Sequence, residues 1–288
     1  MNALRGDTMQ PDEIITLGNS LVQHGPANDR VYLMKLDPED LPSIAHEMYD
    51  LGRQNGYTKL FAKVPADATS HFSKLGFIDE ARVPLMHKGE SAGYFMSKYL
   101  DQSRAIPHDI DRISTVLDEA DRRALDTANE VDNTDIVRLR LGNVDELAQL
   151  YATVFKTYPF PVDDASFLRK SMLDSTAFFG ILSEGKLVAA ASMEMDMDWH
   201  CAEMTDFATL PEYRGKGAAG RLLKAMDQAA QDLPIMTAYT IARAESFGMN
   251  IVFSRAGYTF GGTVHNNTQI AGKLESMNIW HKRVRIEG

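Results

Sequence analysis

Between Glu203 and Ala230 the chain passes from a short β-prone stretch, through a glycine-rich basic turn, into a helical repeat. Thr205 to Leu210 reads as a strand end, and Pro211 stops it. Arg214-Gly215-Lys216-Gly217-Ala218-Ala219-Gly220 follows. Ala219, Leu222, Leu223, Met226 and Ala230 then share one helical face, with Arg221, Lys224, Asp227 and Gln228 on the other. Glycines let backbone N–H groups converge on one concavity. A helix N-terminus adds partial positive charge there, and Arg214 and Lys216 add full charges. The result is a cradle for a phosphate or pyrophosphate.

Two spacings fit this stretch. Gly215-x-Gly217-x-x-Gly220 satisfies the dinucleotide fingerprint, which keeps a dinucleotide-dependent oxidoreductase among the readings. In that fold, however, the first glycine follows its strand almost directly. Here Pro211-Glu212-Tyr213-Arg214 intervene, and no clear acidic ribose ligand closes a following strand at the expected distance. Arg214-x-x-Gly217-x-Ala219 satisfies the R/Q-x-x-G-x-G/A signature, and Pro211 to Gly217 resembles the coenzyme A pyrophosphate loop of the GNAT superfamily of N-acetyltransferases.

Composition narrows the partners. The 288 residues suffice for one large or two modest domains. Net charge is −10 with no Lys/Arg-rich run, which argues against nucleic acid and weakly favours a cationic substrate. Cys201 is the single cysteine, so neither an internal disulfide nor a thiolate metal cluster is expected, and no H-E-x-x-H spacing occurs. No run reaches the ~18 apolar residues of a membrane span, and residues 1–13 carry no apolar signal core. A cytoplasmic protein with no metal is expected. The oligomeric state is open, a homodimer included.

Along the chain, strands are expected at 31–36, 59–64 and 94–100, another from Phe77, and a strand then a loop over 14–25. Helices are expected from about 39 to 55 and over 66–75. Residues 106–133 are charged, with a narrow stripe of Ile113, Leu117, Ala120 and Ala124, and read as a connecting helix. After it come a strand at 136–141, helices at 144–155 and 165–173, and a hairpin of 178–183 with 187–195. The Glu203 strand and cradle are followed by a strand at 235–242, a helix at 247–256 and two antiparallel strands to Val284. A faint repeat pairs His71-Phe72-Ser73-Lys74-Leu75-Gly76-Phe77 with Val252-Phe253-Ser254-Arg255-Ala256-Gly257-Tyr258.

This order resembles the GNAT N-acetyltransferases over 136–288. The expected fold is α+β, a mixed and mostly antiparallel sheet flanked by helices. The expected domains are a degenerate acetyltransferase-like copy at 1–105, a charged helical linker at 106–133 and a catalytic domain at 134–288. Thr157 to Pro161, Glu203 to Thr209, Asn266 to Ile270, Leu274 to Trp280 and His24 to Met34 resemble one subfamily, the β-lysine N6-acetyltransferases. The resemblance implies acetyl transfer from acetyl-CoA to the ε-amine of β-lysine, giving the compatible solute Nε-acetyl-β-lysine. It also implies a lysine 2,3-aminomutase as the supplier of substrate. Another small amine as acceptor, or a catalytically silent acyl-CoA-binding protein, are the alternatives.

Acetyl-CoA is expected against Phe207, Ala208, Thr209, Arg214, Gly215, Lys216, Gly217, Ala218, Ala219, Gly220, Asn250 and Phe253. Backbone N–H groups near Phe207 and Thr209 would polarise the thioester. The family often has a tyrosine acid where this chain has Phe253, so the proton donor is open. An alkylammonium of pKa near 10.4 is roughly 4.6 kcal/mol from its nucleophilic form at pH 7, so a base is useful. Asp206, and after it Glu203, are the candidates. A regular strand would send them to opposite faces. Tyr158, Asn266, Asn267 and Thr268 are expected to hold the acceptor.

Overall fold

The computed structural model describes residues 12–125 and 135–285. Residues 1–11, and the last part of the charged linker, lie outside the described residues. The first half contains β1 (Glu13–Leu17), β2 (Ser20–Gly25), β3 (Arg30–Lys35), α1 (Ile44–Asn55), β4 (Lys59–Pro65), α2 (Thr69–Ser73), β5 (Ile78–His87) and β6 (Ser91–Tyr99). Helix α3 (Ile110–Arg122) follows. The second half contains β7 (Ile136–Arg138), α4 (Val144–Val154), α5 (Ala165–Asp174), β8 (Thr176–Ser183), β9 (Lys186–Asp196) and β10 (Cys201–Thr209). It continues with α6 (Ala218–Gln231), β11 (Thr237–Arg243), α7 (Phe247–Arg255), β12 (Thr259–Ile270) and β13 (Lys273–Arg283).

The strands form one sheet, ordered β1-β2-β3-β4-β6-β5-β12-β13-β11-β10-β9-β8-β7. Among the described residues each half has one parallel pair, β3 with β4 and β10 with β11, and a helix crosses over between its members. In each half the last hairpin inserts its second strand beside that pair. The sheet is therefore mixed and mostly antiparallel, as expected. A parallel doubly wound sheet, which the dinucleotide reading requires, is not what forms.

Alternation along the strands sends side chains to two faces. On one face Val31, Leu33, Leu60, Ala62 and Val64 pack with Ile44 and Met48 of α1 and Phe72 of α2. On the same side of the second half, Ala189, Ala191, Met193, Ala202 and Met204 meet Leu222, Leu223 and Met226 of α6. On the other face α4 and α5 cover Phe178, Ala190 and Ala208. Beyond them Tyr32, Phe61 and Phe95 of the first half pack directly on Cys201, Tyr239, Val264 and Ile279 of the second. Strand twist accumulated over so many strands lets that face fold back on itself.

The halves meet where β5 and β12 pair at Ala81 and Gly262. Gly262 has φ +136, and a Cβ there would lie 2.3 Å from the Glu80 carbonyl oxygen, so a side chain has no room. Buried polar links reinforce the seam. Lys59 Nζ bonds Glu80 at 3.2 Å and the His265 carbonyl at 2.6 Å. Burial pulls the Lys59 ammonium down to about 7.

Several expectations shift. Residues 14–25 form a two-stranded hairpin rather than a strand and loop. β7 ends at Arg138, short of Leu141. α3 is not a solvated connector: Ile113, Val116 and Ala120 are buried, and Ser254 of α7 bonds the Ala120 carbonyl at 2.7 Å. Asp227 was placed on the outer face of α6 but is buried, accepting from Tyr258 at 2.7 Å and Lys282 at 2.7 Å.

Candidate active site

β10 and β11 pair in parallel only from Cys201 to Glu203 against Thr237 to Tyr239, and then part. On its other side β10 slips one residue against β9 between Thr205 and Ala208. Asp206 sits in that bulge with φ +53, a left-handed conformation costly for a residue with a Cβ. The extra residue cancels the expected alternation, so Glu203, Thr205 and Asp206 all line one cavity of about 590 Å³.

Five carboxylates line this cavity, and among them Asp206 and Glu203 act on Glu194. Asp206 accepts from Tyr158 Oη at 2.5 Å and Ser192 Oγ at 2.6 Å. Burial raises its pKa, and those two bonds pull it back. Glu203 is pushed up to about 7 by burial, opposed by Lys63 and by a hydrogen bond from Tyr239. Glu194 is exposed to the cavity; the protein packed around it, and then Asp206 and Glu203, push its pKa upward. Lys63 bonds Tyr239 Oη at 3.2 Å. Burial works against its charge, but Tyr32, Cys201 and Glu203 around it leave its pKa raised. The site thus gathers carboxylates whose pKa values are raised, a setting that binds an ammonium and stores a base near neutral pH.

The glycine-rich turn leads into the N-terminus of α6, with Gly217 at the cap position. Gly215 and Gly217 have φ +76 and +77. Space is open where a Cβ would stand at Gly215, Gly217 and Gly220. No side chain caps the helix, and no acid lies in its first turn of Ala218, Ala219 and Gly220. Its first N–H groups therefore lack intrahelical partners and suit an anion. Arg214 Nε bonds the Thr209 carbonyl at 3.1 Å, and Lys216 Nζ stands 4.9 Å from the Tyr213 ring centre. These residues fit a pyrophosphate. Phe207 and Phe253 line the cavity and meet edge to face at 5.6 Å, whereas Ala208 is buried towards α4.

Two expected roles do not survive the packing. Asn250 is wholly buried and away from the cavity. Its amide donates to the Arg243 and Ser246 carbonyls and accepts from Asn278 and Trp280, which binds α7 to β11 and β13. Asn266 spends its amide on the Arg104 and Ile106 carbonyls at 2.8 Å each. Of the expected acceptor residues, Tyr158, Asn267 and Thr268 line the cavity.

The first half contributes residues that the sequence reading missed. Arg30 of β3 and Lys63 of β4 are cations in the cavity wall, beside Tyr32 and Phe61. Arg30 donates to the Asn267 carbonyl at 2.7 Å, Thr268 Oγ1 at 3.4 Å and Gln23 Oε1 at 3.2 Å. Glu194, Ser192 and Tyr239 were missed as well. A charge inside an apolar strand, as at Arg30, Lys63 and Glu194, was the available signal.

Parted parallel strands, an uncapped helix start beside them and a carboxylate-lined cavity define an enzyme that moves an acyl group from coenzyme A to an amine. The Acetyltransferase (GNAT) family matches residues 144–258. The Beta-lysine N(6)-acetyltransferase of Methanococcus maripaludis is 37% identical over 94% of this chain and 98% of its own length. N-acetyltransferase YodP of Bacillus subtilis is 31% identical over 92% and 96%. The Beta-lysine N(6)-acetyltransferase of Methanosarcina mazei is 35% identical over 48% of this chain and 51% of its own. The chain belongs to the β-lysine N(6)-acetyltransferase family of the GNAT acetyltransferases, and is an acetyl-CoA-dependent N-acetyltransferase. No described helix is long and apolar enough to cross a membrane, and no metal-holding cluster occurs among the described residues.

Proposed function

We propose that this enzyme acetylates the ε-amine of β-lysine in the cytoplasm, giving the compatible solute Nε-acetyl-β-lysine from substrate made by a lysine 2,3-aminomutase. The observation that carries this reading is the group of Glu194, Glu203 and Asp206 where β10 and β11 part, in a chain aligned almost end to end with such an enzyme. Bound acetyl-CoA supplies an activated acetyl thioester. Gly215 to Gly220 and Arg214 would hold its pyrophosphate, and the N–H groups of Phe207 and Thr209 would polarise the carbonyl.

Asp206, anchored by Ser192 and Tyr158, holds the incoming ammonium. Both its oxygens already accept hydroxyl protons, which stabilise its anion and weaken it as a base. Glu203, near 7, is better matched to removing the ammonium proton, which reverses the order of preference drawn from the sequence. Phe253 offers an apolar wall and no proton.

Residues 1–105 fit the role of a degenerate acetyltransferase copy, 106–133 a linker and 134–288 the catalytic domain. The shared strand order supports this, as do Gly76 and Gly257, which end α2 and α7 segments at φ +81 and +80. Ahead of α1 stand Asp37, Glu39 and Asp40 instead of a glycine loop, and their charge opposes a pyrophosphate there. Turnover with acetyl-CoA across β-lysine, α-lysine and spermidine tests the acceptor. The expected result is at least about 10-fold preference for β-lysine over α-lysine, with mass spectrometry placing the acetyl group on the distal nitrogen. Equal rates with spermidine, or acetylation of the β-amine, would reject it.

A further inference from the structure

The cations in the cavity wall are Arg30, Lys35, Lys63 and Arg243. Lys35 is paired with Asp198 at 2.5 Å and Arg243 with Glu275 at 2.7 Å. Lys63 has Glu203 and Asp196 among the charges acting on it. Arg30 makes no hydrogen bond or ion pair to a carboxylate among the described residues, and Asp12 is the acid whose charge acts on it. It is 3% exposed, with its guanidinium carbon 5.0 Å from the Tyr32 ring centre and 5.7 Å from that of Phe61. Its three protein hydrogen bonds leave two of the five guanidinium N–H groups over, Nε–H among them. Beside it the Asn267 side-chain oxygen is buried and likewise unpartnered.

A buried cation with spare donors and no carboxylate bonded to it is costly to keep unless something anionic completes it. Arg30 enters the cavity from β3 of the first half, and Glu194, Glu203 and Asp206 from β9 and β10 of the second, so the cation and these acids come from different walls. An extended amino acid with an amine at its far end has that same polarity. We propose that Arg30, carried by the first half of the chain, binds the carboxylate of the acceptor, with Asn267 Oδ1 accepting from the neighbouring β-ammonium, so that the non-catalytic half selects the substrate. This rests on the amino-acid acceptor argued above. Thr268 is retained from the sequence expectation in a different role, steadying the guanidinium instead of touching substrate.

The test compares β-lysine with its carboxamide and with 1,4-diaminopentane, its decarboxylated form, using the full chain and saturating acetyl-CoA. The wild type should favour β-lysine over each by at least about 10-fold in kcat/KM, the scale of a lost charge-assisted hydrogen bond. In Arg30→Met that ratio should collapse towards unity, mainly through KM for β-lysine, and Arg30→Lys should recover part of it. Equal losses on all three acceptors would mean that Arg30 only supports the fold, and would overturn the proposal. So would a wild type that uses the carboxamide as well as β-lysine, a result independent of whether Arg30→Met folds. A wild type that acetylates spermidine but not β-lysine would overturn the acceptor reading itself, and this inference with it.

Discussion

Glu203 and Asp206 stand three residues apart on one strand and would face opposite ways in regular β structure. One inserted residue puts them in the same cavity, at the cost of a left-handed Asp206. Their environments then divide the work. Asp206 is held by two hydroxyls, whereas Glu203 keeps a pKa of about 7. A base must be deprotonated to act, and burial raises this one, so kcat/KM should fall as pH drops through about 7. With acceptor bound, the ammonium favours the carboxylate, so the same limb in kcat should lie lower. Glu203→Gln should reduce kcat/KM by about 10²-fold or more and remove the acidic limb. A limb that persists in that variant would transfer the role to Asp206 or to water.

The cradle and α6 act as one element. Leu222, Leu223, Met226 and Ala230 bury one face of the helix, which fixes its axis against the sheet and aims its first turn at the parting strands. Asp227 locks the far end to the C-terminal hairpin through Tyr258 and Lys282. Gly217 is the residue where chain direction and ligand space meet, being left-handed and open on its Cβ side. Gly217→Asp fills that opening with negative charge and opposes a pyrophosphate. Its Kd for acetyl-CoA should rise by at least about 10-fold, since a lost charge-assisted contact is worth about 1.5–3 kcal/mol. The helix should remain, as read by far-ultraviolet circular dichroism. Undiminished affinity, measured by titration calorimetry, would remove the cradle from the cofactor site.

At the scale of the whole molecule the two halves share one sheet and one buried face. The seam is narrow in backbone pairing, with Gly262 against Ala81, and is widened by side chains such as Lys59, Arg104 and Gln23 that reach across. Gly262→Val would drive a side chain into the Glu80 carbonyl at a φ suited to glycine. The expected cost is about 3 kcal/mol or more, and a lower Tm by calorimetry should report it. Because Arg30 and Lys63 enter the cavity across this seam, acceptor KM should worsen more than acetyl-CoA affinity in the folded variant. An unchanged Tm would show that the seam tolerates a side chain there.

Local patterning sufficed for the strand–cradle–helix unit from Cys201 to Gln231, for most element positions and for the family. Short-range rules act there: glycine at positive φ, helical spacing of Leu222, Leu223 and Met226, and proline as a strand stop. The loop Arg214 to Gly220 was legible for the same reason, since contiguous residues build it. Only the tertiary structure decided which acids and cations share a cavity. Glu194, Glu203, Arg30 and Tyr239 come from four strands, and whether they meet depends on the bulge at Asp206 and on a curved sheet. Polar residues with identical local signals then took different fates. Asn250 and Asn266 were consumed by backbone carbonyls, while Asn267 kept a buried oxygen unused beside Arg30. A hydrogen bond is local in space and not in sequence, so its partner is settled only when distant segments have packed.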